Sequence, residues 1–414
     1  MKEILNLGGV RYNYDFIAAW IKYTRMRKGY SQEYVCHGIC TVSYLSSFEN
    51  GKRRLSIEAV QCILKKLNMD IDKKLENIGL IRFKLNEMLN DIEDMNYTAA
   101  TEKYNELFEI REIIEESFYN IEFTIYELFY RFLVKNEEYE TMEVDIALLD
   151  KIYDSFDEEL KCLYLGISGM IIAQRLNSDI GTKRIEQALK IKELTWLNFS
   201  FGIILCFDNA PGYGMFYLQK ALRSYESSGR YINAIWCHNY LGICFSYLGM
   251  YESSEKHFMA GIMSAKHFNV DKLMLHLHNN LSDLYYNKGD FKESIKWSRK
   301  AIDDPYESLL PVYNYIMACI KLSRIKECEK MFKIYLTDEY KSSRYYLSIY
   351  FLKLTIFNFD DDLFYEEVKN KILPYYEEMN KIDMVRDIKI KLIEYFEKKR
   401  KYKEANKIYK ELIN

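Results

Sequence analysis

Residues 31–52, which read SQEYVCHGICTVSYLSSFENGK, carry the clearest local pattern in this chain of 414 residues. Ser31 is placed to cap a helix that runs to about Gly38, because serine oxygens accept hydrogen bonds from the first turn of a helix. After a turn of about three or four residues, Thr41 is placed to cap a second helix over 42–49. The stretch therefore predicts two short helices joined by a tight turn.

Helices are also predicted on both sides of this stretch. Before it, residues 15–28 place apolar side chains on one helical face and basic side chains elsewhere, and Gly29 ends that helix. The apolar face consists of Phe16, Ile17, Trp20, Ile21 and Thr24. After it, residues 56–67 repeat an apolar spacing that is typical of a helix. We therefore expect a small helical domain over residues 1–69, which we call the head.

The stretch resembles the helix-turn-helix of Xre-type repressors. In that family a serine-glutamine pair, here Ser31 and Gln32, opens the second helix, and a Ser-x-x-Glu-x-Gly ending, here 46–51, closes the recognition helix. The resemblance implies that the recognition helix reads base edges in the major groove. The implied base-reading residues are Thr41, Ser43, Tyr44 and Ser47. The implied phosphate ligands are Arg25, Lys28, Gln32, Lys52, Arg53 and Arg54.

Charge is distributed unevenly along the chain. Residues 1–69 hold eleven Lys and Arg against five Asp and Glu, a net charge of +6, and the whole chain carries −3, so the remainder carries −9. A basic segment on an acidic body suits contact with a polyanion. The alternative for the head is a plain helical bundle with a solvated basic face. Tyr44, likewise, could pack within the domain instead of reading a base.

From about Leu75 onward one pattern recurs: a small residue or glycine in one helix, a turn, and then an aromatic and a small residue in the next helix. The two clearest copies begin at 241–242 and, forty residues on, at 281–282. Both resemble tetratricopeptide repeats. We expect about seven to nine helix pairs over residues 70–414, the repeat array, forming a right-handed superhelix with a concave wall. The predicted fold class is therefore all-α, and we find no convincing strand run.

The two clear copies place asparagines at matching positions, since Asn239 precedes Leu241 by two residues, as Asn279 precedes Leu281. A side-chain amide both donates to and accepts from a peptide backbone, and a concave helical wall suits an extended peptide. In tetratricopeptide repeats this position usually faces the groove. We expect peptide contacts from these two asparagines and from Asn198, Trp236, Ser246, Tyr247, His276, Asn280, Asp283, Tyr286 and Asn314. The alternative is that the asparagines hydrogen-bond to neighbouring helices.

An Xre-like head on a tetratricopeptide body resembles the RRNPP regulators of Gram-positive bacteria and their phages, and residues 31–49 are similar to the heads of the PlcR and NprR branch. The resemblance covers essentially the whole chain. It implies a quorum-sensing transcriptional regulator that dimerises on a two-fold operator and whose DNA binding responds to a short signalling peptide. Two alternatives stay open: a scaffold that docks a response regulator or another protein, and a phage arbitrium-like lysis-lysogeny switch.

Other function classes find little support in the sequence. It contains no Gly-rich phosphate loop and no serine-hydrolase or zinc-protease motif, so we expect neither an enzyme nor a cofactor. His276 and His278 lie two residues apart, on different helix faces, and are poor partners for one metal ion. Cys36 and Cys40 fall at core or turn positions, so we expect no metal there either. Nine cysteines without a Cys-x-x-Cys pair and the absence of a long apolar run indicate a cytoplasmic protein.

Overall fold

The computed structural model describes residues 4–7, 10–69, 78–117, 119–176, 179–302 and 308–413. Helices dominate them, so the predicted all-α class is confirmed. The expectation of no strands was wrong for the first residues, where β1 (Ile4–Leu7) pairs antiparallel with β2 (Val10–Asn13). The sequence holds a hairpin signal there, since Gly8-Gly9 separates two runs with β-branched or aromatic residues. Each strand has only four residues, too few for an alternating pattern to stand out.

The head contains helices at nearly the predicted places, namely α1 (Tyr14–Arg27), α2 (Gln32–Cys36), α3 (Val42–Glu49) and α4 (Ile57–Lys66). The predicted caps are confirmed, because the side-chain oxygens of Ser31 and Thr41 accept hydrogen bonds from backbone N–H groups at 3.1 and 3.3 Å. Helix α2 ends before Gly38, which takes a φ of +80° in the turn that leads to α3. A left-handed backbone of this kind favours glycine.

The chain separates into two units, Met1–Cys244 and Phe245–Asn414. After the head, the first unit contains α5 (Ile78–Glu93), α6 (Tyr97–Glu109), α7 (Arg111–Glu115), α8 (Tyr119–Leu133), α9 (Tyr139–Asp150), α10 (Glu158–Leu176), α11 (Asp179–Ile191), α12 (Thr195–Phe207), α13 (Pro211–Ser227) and α14 (Tyr231–Tyr247), whose last residues pass the boundary. The predicted start of the array, residue 70, and Leu75 lie outside the described residues.

The second unit contains α15 (Tyr251–His267), α16 (Asp271–Asn287), α17 (Phe291–Ile302), α18 (Leu310–Lys321), α19 (Ile325–Tyr335), α20 (Tyr346–Phe357), α21 (Asp362–Glu367), α22 (Leu373–Glu378), α23 (Ile382–Lys398) and α24 (Tyr402–Ile413). Short 3₁₀ turns lie at Tyr153–Ser155 and Asp338–Tyr340, and a π-helical segment, Val368–Ile372, joins α21 to α22. Consecutive helices pack against each other, among them α10 with α11, α12 with α13 and α16 with α17, in the manner that the repeat pattern predicts.

Small residues mark the places where the two helices of a pair approach closely. A Cβ added to Gly202 on α12 would lie 2.6 Å from Leu218 Cγ and 3.0 Å from the carbonyl oxygen of Gly214, both on α13. Ser282, eighty residues later on α16, donates a hydrogen bond to the carbonyl oxygen of Ser294 on α17 at 3.0 Å. The small residues of the repeat pattern therefore have a packing role, because a larger side chain would push the helices apart.

The head and the first repeats share one hydrophobic core, which runs from Ile17 on α1 to Ile204 on α12. Polar contacts reinforce this junction. The indole N–H of Trp20 donates to the carbonyl oxygen of Ser117 at 3.0 Å, and the hydroxyls of Tyr23 and Thr124 lie 2.8 Å apart. Helix α1 is therefore held against the array as well as within the head. No described helix is long and apolar enough to cross a membrane.

Candidate DNA-binding and ligand-binding sites

Helix α3 presents its first turn to solvent. Leu45 and Phe48 are fully buried, and they anchor the helix on the core of the head. Ser47 is half-buried. The predicted residues that are exposed are Thr41, Ser43 and Tyr44 at the start of the helix and Lys52, Arg53 and Arg54 in the loop after it. A helix that is anchored by one face and exposed at its amino-terminal end has the arrangement that major-groove readers use.

Tyr44 contacts the basic loop. Its hydroxyl donates to the carbonyl oxygen of Arg54 at 2.8 Å, and the guanidinium of Arg53 lies 5.7 Å from the centre of its ring. The tyrosine nevertheless keeps 36% of its surface exposed. Its hydroxyl therefore packs within the domain, as the alternative interpretation has it, while its ring stays at the surface beside the loop.

Three of the predicted phosphate ligands have partners inside the head. Glu49 is buried, and Arg25 donates to both of its carboxylate oxygens at 2.6 and 2.8 Å. Gln32 donates to the same carboxylate at 2.7 Å. Lys28 donates to the carbonyl oxygen of Leu67 at the end of α4 at 2.6 Å. These contacts join α1, α2, α3 and the end of α4, so they give the three side chains a structural role that the sequence interpretation did not foresee.

Val42 is a surface residue that the sequence analysis did not single out. It is the first residue of α3, and 43% of its surface is exposed. An apolar side chain at this end of a recognition helix suits the C5-methyl group of thymine. Its position directly after the Thr41 cap was the available signal.

An aromatic cavity of about 360 Å³ lies in the first unit, between the α5–α6 turn and helices α8, α10, α12 and α14. The predicted Trp236 lines it and stacks on Tyr240, with ring centroids 6.0 Å apart. Trp196, forty residues before Trp236, also lines it, so equivalent positions on α12 and α14 face the same space. The other aromatic residues of the lining are Tyr97, Phe129, Phe199 and Tyr225. Such a lining suits apolar side chains of a ligand.

The two predicted asparagines of the first unit differ in register. Phe199 lines the cavity and precedes Asn239 by forty residues, so the repeat places Asn239 on the cavity-facing side of α14. Asn198 is one position out of that register and is not part of the cavity lining. It is buried, and its Oδ1 has no hydrogen-bond partner among the described residues. Asn239 is also buried and is not part of the cavity lining, although Trp236 and Tyr240 on the same helix are.

In the second unit, two predicted asparagines contact each other. The amide of Asn314 on α18 donates to Oδ1 of Asn279 on α16 at 3.1 Å, and both residues are buried. The structure thus shows the interhelical hydrogen bond that the sequence analysis left open as the alternative. Each amide still has further donors and acceptors, because a primary amide carries two N–H donors and a carbonyl acceptor.

Four of the predicted residues on α16 form one face. They occupy the helical positions of cavity-lining residues eighty residues earlier on α12, and they are His276, Asn279, Asn280 and Asp283. Burial lowers the pKa of His276, and desolvation raises the pKa of Asp283. Tyr286 packs on Phe291, with ring centroids 5.3 Å apart. Ser246 is half-buried and Tyr247 is exposed.

His278 lies beside Trp297 and near Lys300. Its ring lies 5.5 Å from that of Trp297, and neither its Nδ1 nor the Nε1 of Trp297 has a hydrogen-bond partner among the described residues. Burial and the nearby Lys300 lower the pKa of His278 to about 4. Within the described ranges, no three His, Cys, Asp or Glu side chains are grouped so that they could hold a metal ion.

Comparison with known proteins agrees with this architecture. Residues 21–74 match the family model described as Helix-turn-helix. The fold is similar to that of the apo form of the quorum sensor NprR from B. thuringiensis, with a TM-score of 0.62, 18% identity and coverage of 81% of this chain and 98% of NprR. NprR in complex with its cognate peptide NprX gives a TM-score of 0.51 at 16% identity, covering 83% of this chain and 98% of that one.

A helix-turn-helix head followed by tetratricopeptide-like helix pairs is the architecture expected of an RRNPP-type transcriptional regulator, the class that the sequence resembles. Among curated proteins, it is similar to the transcriptional activator NprA of Geobacillus stearothermophilus. The two are 24% identical over 396 aligned residues, which cover 90% of this chain and 96% of NprA. The likeness therefore includes both the head and the array.

Proposed function

We propose that this regulator acts in quorum sensing and that a short signalling peptide, bound in the repeat array, controls its binding to operator DNA. The exposed first turn of α3 beside the basic loop 52–54 is the observation that carries the DNA-binding part. The helix end reads bases in the major groove through Thr41, Ser43 and Tyr44, with Ser47 one turn further on. The loop cations bind phosphates, which gives affinity that falls as salt rises.

The peptide-binding part is supported by the aromatic cavity of the first unit and by the amide-bearing face of α16 in the second. In the first unit, Trp236 packs on an apolar side chain of the peptide and Asn239 hydrogen-bonds to its backbone. In the second unit, Asn279 and its neighbours supply polar contacts. NprR, whose fold is similar, is a quorum sensor that has been observed with its cognate peptide NprX.

The proposed organisation assigns DNA binding to residues 1–69, and peptide binding and dimerisation to residues 70–414. A homodimer suits an operator with two-fold symmetry, since two heads then contact two half-sites. The function places the protein in the cytoplasm and requires no enzymatic step and no cofactor. A response regulator or another protein is a further partner that the array could dock.

Fluorescence anisotropy with labelled fragments of the DNA around the chain's own gene tests the proposal. Candidate peptides come from short neighbouring reading frames, and each is added at several concentrations. We expect binding whose affinity changes with one peptide. Arg53→Ala should weaken DNA binding and lower the salt dependence of the affinity by about one counterion. Lys330→Ala, which changes an exposed lysine of the second unit, should leave DNA binding unchanged.

The peptide-binding part has its own control. Asn279→Ala should remove the response to peptide and leave the affinity of the peptide-free protein for DNA unchanged, because Asn279 lies outside the head. Absence of DNA binding both with and without peptide contradicts the proposal. Capture of a response regulator with no effect on DNA would instead favour the scaffold alternative.

A further inference from the structure

A second cavity in the first unit, of about 410 Å³, lies where the head meets the first repeats. Phe16 on α1 forms one wall, and the other walls come from α5, α8, α10 and the segment that leads into α12. None of the residues predicted to bind DNA or peptide lines it. Its volume is in the range of small-molecule sites.

Aromatic and aliphatic side chains make up much of the cavity wall. The aromatic members besides Phe16 are Tyr119, Tyr126 and Trp196, and the aliphatic members are Leu89, Leu160, Leu163 and Leu194. The hydroxyl of Tyr126 donates to Oδ1 of Asn86 at 3.0 Å, which fixes the orientation of that ring. Aromatic faces attract cations and also pack against hydrocarbon. The wall thus suits a ligand that carries a positive charge on an apolar body.

Glu122 on α8 places a carboxylate in this wall, and its charge is only weakly balanced by neighbouring cations. Its side chain is 18% exposed, and the nearest cation, Nε of Arg82, lies 3.6 Å from Oε1. It forms no hydrogen bond with any described residue. Arg82 is held loosely, because its side chain is 55% exposed and its second partner, Glu159, is 3.8 Å away.

Glu49 and Glu127, which are buried, are paired far more closely than the half-buried Glu122. Glu49 accepts from Arg25 at 2.6 and 2.8 Å. Glu127 accepts from the hydroxyl of Tyr104 at 2.8 Å and from Arg111 at 3.0 Å. Such partners are the usual condition for keeping a carboxylate away from water. Burial raises the pKa of Glu122, which also marks a carboxylate whose charge is poorly compensated.

The other charged side chains of the cavity lining do not neutralise Glu122. Asp157 and Glu159 add two acids, and Lys192 adds one base, so the lining holds three acidic side chains against two basic ones. Lys192 lies 3.5 Å from Glu159 and is thus engaged. Asp157 accepts from the backbone N–H of Leu160 at 2.8 Å, which caps α10. Glu122 is therefore the acceptor that is left for a ligand.

We propose that this cavity binds a primary ammonium group carried on an apolar body. The ammonium donates hydrogen bonds to Glu122, Arg82 moves into solvent, and the body packs among Tyr119, Tyr126 and Trp196. A free amine and the amino terminus of a peptide share this chemistry. The site is separate from the residues proposed above to bind the signalling peptide, and it does not require that proposal to hold.

The position of Phe16 gives the ligand contact with head and array together. Phe16 lies one turn before Trp20, whose indole donates to the carbonyl oxygen of Ser117. Ser117 comes two residues before Tyr119, which lines the cavity. An occupant therefore adds contacts on both sides of the same junction, and its binding should raise the melting temperature of the full chain as the ligand concentration rises above Kd.

Isothermal titration of the full chain with 2-phenylethylamine and with its neutral analogue 2-phenylethanol tests the site. Near neutral pH the amine is protonated, and we expect it to bind roughly tenfold or more tightly than the alcohol, since only the amine offers a charge to Glu122. Glu122→Gln should remove this preference. Glu158→Gln, which changes an exposed glutamate outside the cavity lining, should retain it.

Two further ligands distinguish the sources. Phenylalanyl-alanine amide with a free amino terminus, but not its N-acetylated form, competes with 2-phenylethylamine if a peptide terminus is the ligand. Failure of the free peptide to compete assigns the site to a free amine. Equal binding of amine and alcohol, binding of neither at millimolar concentration, or an unchanged preference in a folded Glu122→Gln overturns the proposal. Circular dichroism checks folding, and if that variant is unfolded the comparison in the wild-type chain decides.

Discussion

Replacement of Arg25 by alanine is expected to destabilise the head and not simply to remove a phosphate contact. The Glu49 side chain is 1% exposed and that of Arg25 is 12% exposed, so the pair lies largely out of water. Arg25→Ala leaves the carboxylate with Gln32 as its partner. Leaving one charge of a buried pair uncompensated costs about 3–5 kcal/mol, and because Gln32 still donates we expect about 3 kcal/mol less unfolding free energy for the first unit.

Urea unfolding followed by tryptophan fluorescence measures this loss, since Trp20 lies on the same helix as Arg25. The matched variant Lys52→Ala changes an exposed loop cation, so its unfolding free energy should stay within about 0.5 kcal/mol while DNA affinity falls. The double variant Arg25→Met with Glu49→Leu removes both charges and should recover most of the stability. If the unfolding free energy of Arg25→Ala falls by less than about 1 kcal/mol while its DNA affinity also falls, Arg25 acts as a phosphate ligand. That result would refute the structural role of the Arg25–Glu49 pair.

Close packing at Gly202 leads us to expect that Gly202→Ala lowers the unfolding free energy by about 1–3 kcal/mol, whereas Gly212→Ala, with no atom within 4 Å of the added Cβ, does not; thermal unfolding of the two variants decides. Asn279→Ala leaves the buried Asn314 amide without its partner and should cost the second unit about 1–3 kcal/mol in urea unfolding, and an unchanged midpoint would contradict the pairing. His278 has a pKa lowered from 6.5 to about 4, so the unfolded chain binds the extra proton first and the second unit should lose stability as pH falls through that interval. His278→Gln should flatten that part of the pH profile of the urea midpoint, and a profile identical to wild type would refute the assignment.

The sequence predicts those parts of the fold that local rules govern. Ser31 and Thr41 cap helices because their oxygens reach N–H groups three residues away, which is a property of a short segment. The forty-residue spacing of Asn239 and Asn279 is likewise visible in the sequence alone, because it belongs to the repeat pattern. The hairpin at the start of the chain was not predicted, although Gly8-Gly9 is a hairpin signal. Strands of four residues are too short for an alternation of apolar and polar residues to be recognised.

The site could be predicted less completely because its partners are distant in sequence. That Arg25 and Gln32 bind Glu49 depends on how three helices pack, and an exposed basic residue looks the same in sequence as a buried one. The Asn279–Asn314 hydrogen bond joins residues on different helix pairs, so the sequence could name both amides but not their contact. Glu122 gave no signal at all, since its character comes from what surrounds it.

The core that the head shares with the first repeats restricts how such a regulator can diversify. Trp20 and Tyr23 are buried against α8 and the segment before it, so a head transplanted onto an unrelated array would expose this surface and lose its fixed attachment. Exchange of whole heads therefore requires matching changes on α8. The exposed end of α3 lies outside the contact between head and array. If α3 reads the operator as proposed, single substitutions there should alter operator choice without a compensating change. New DNA specificity in this lineage is expected to arise by drift at a few surface positions, with head and array inherited together.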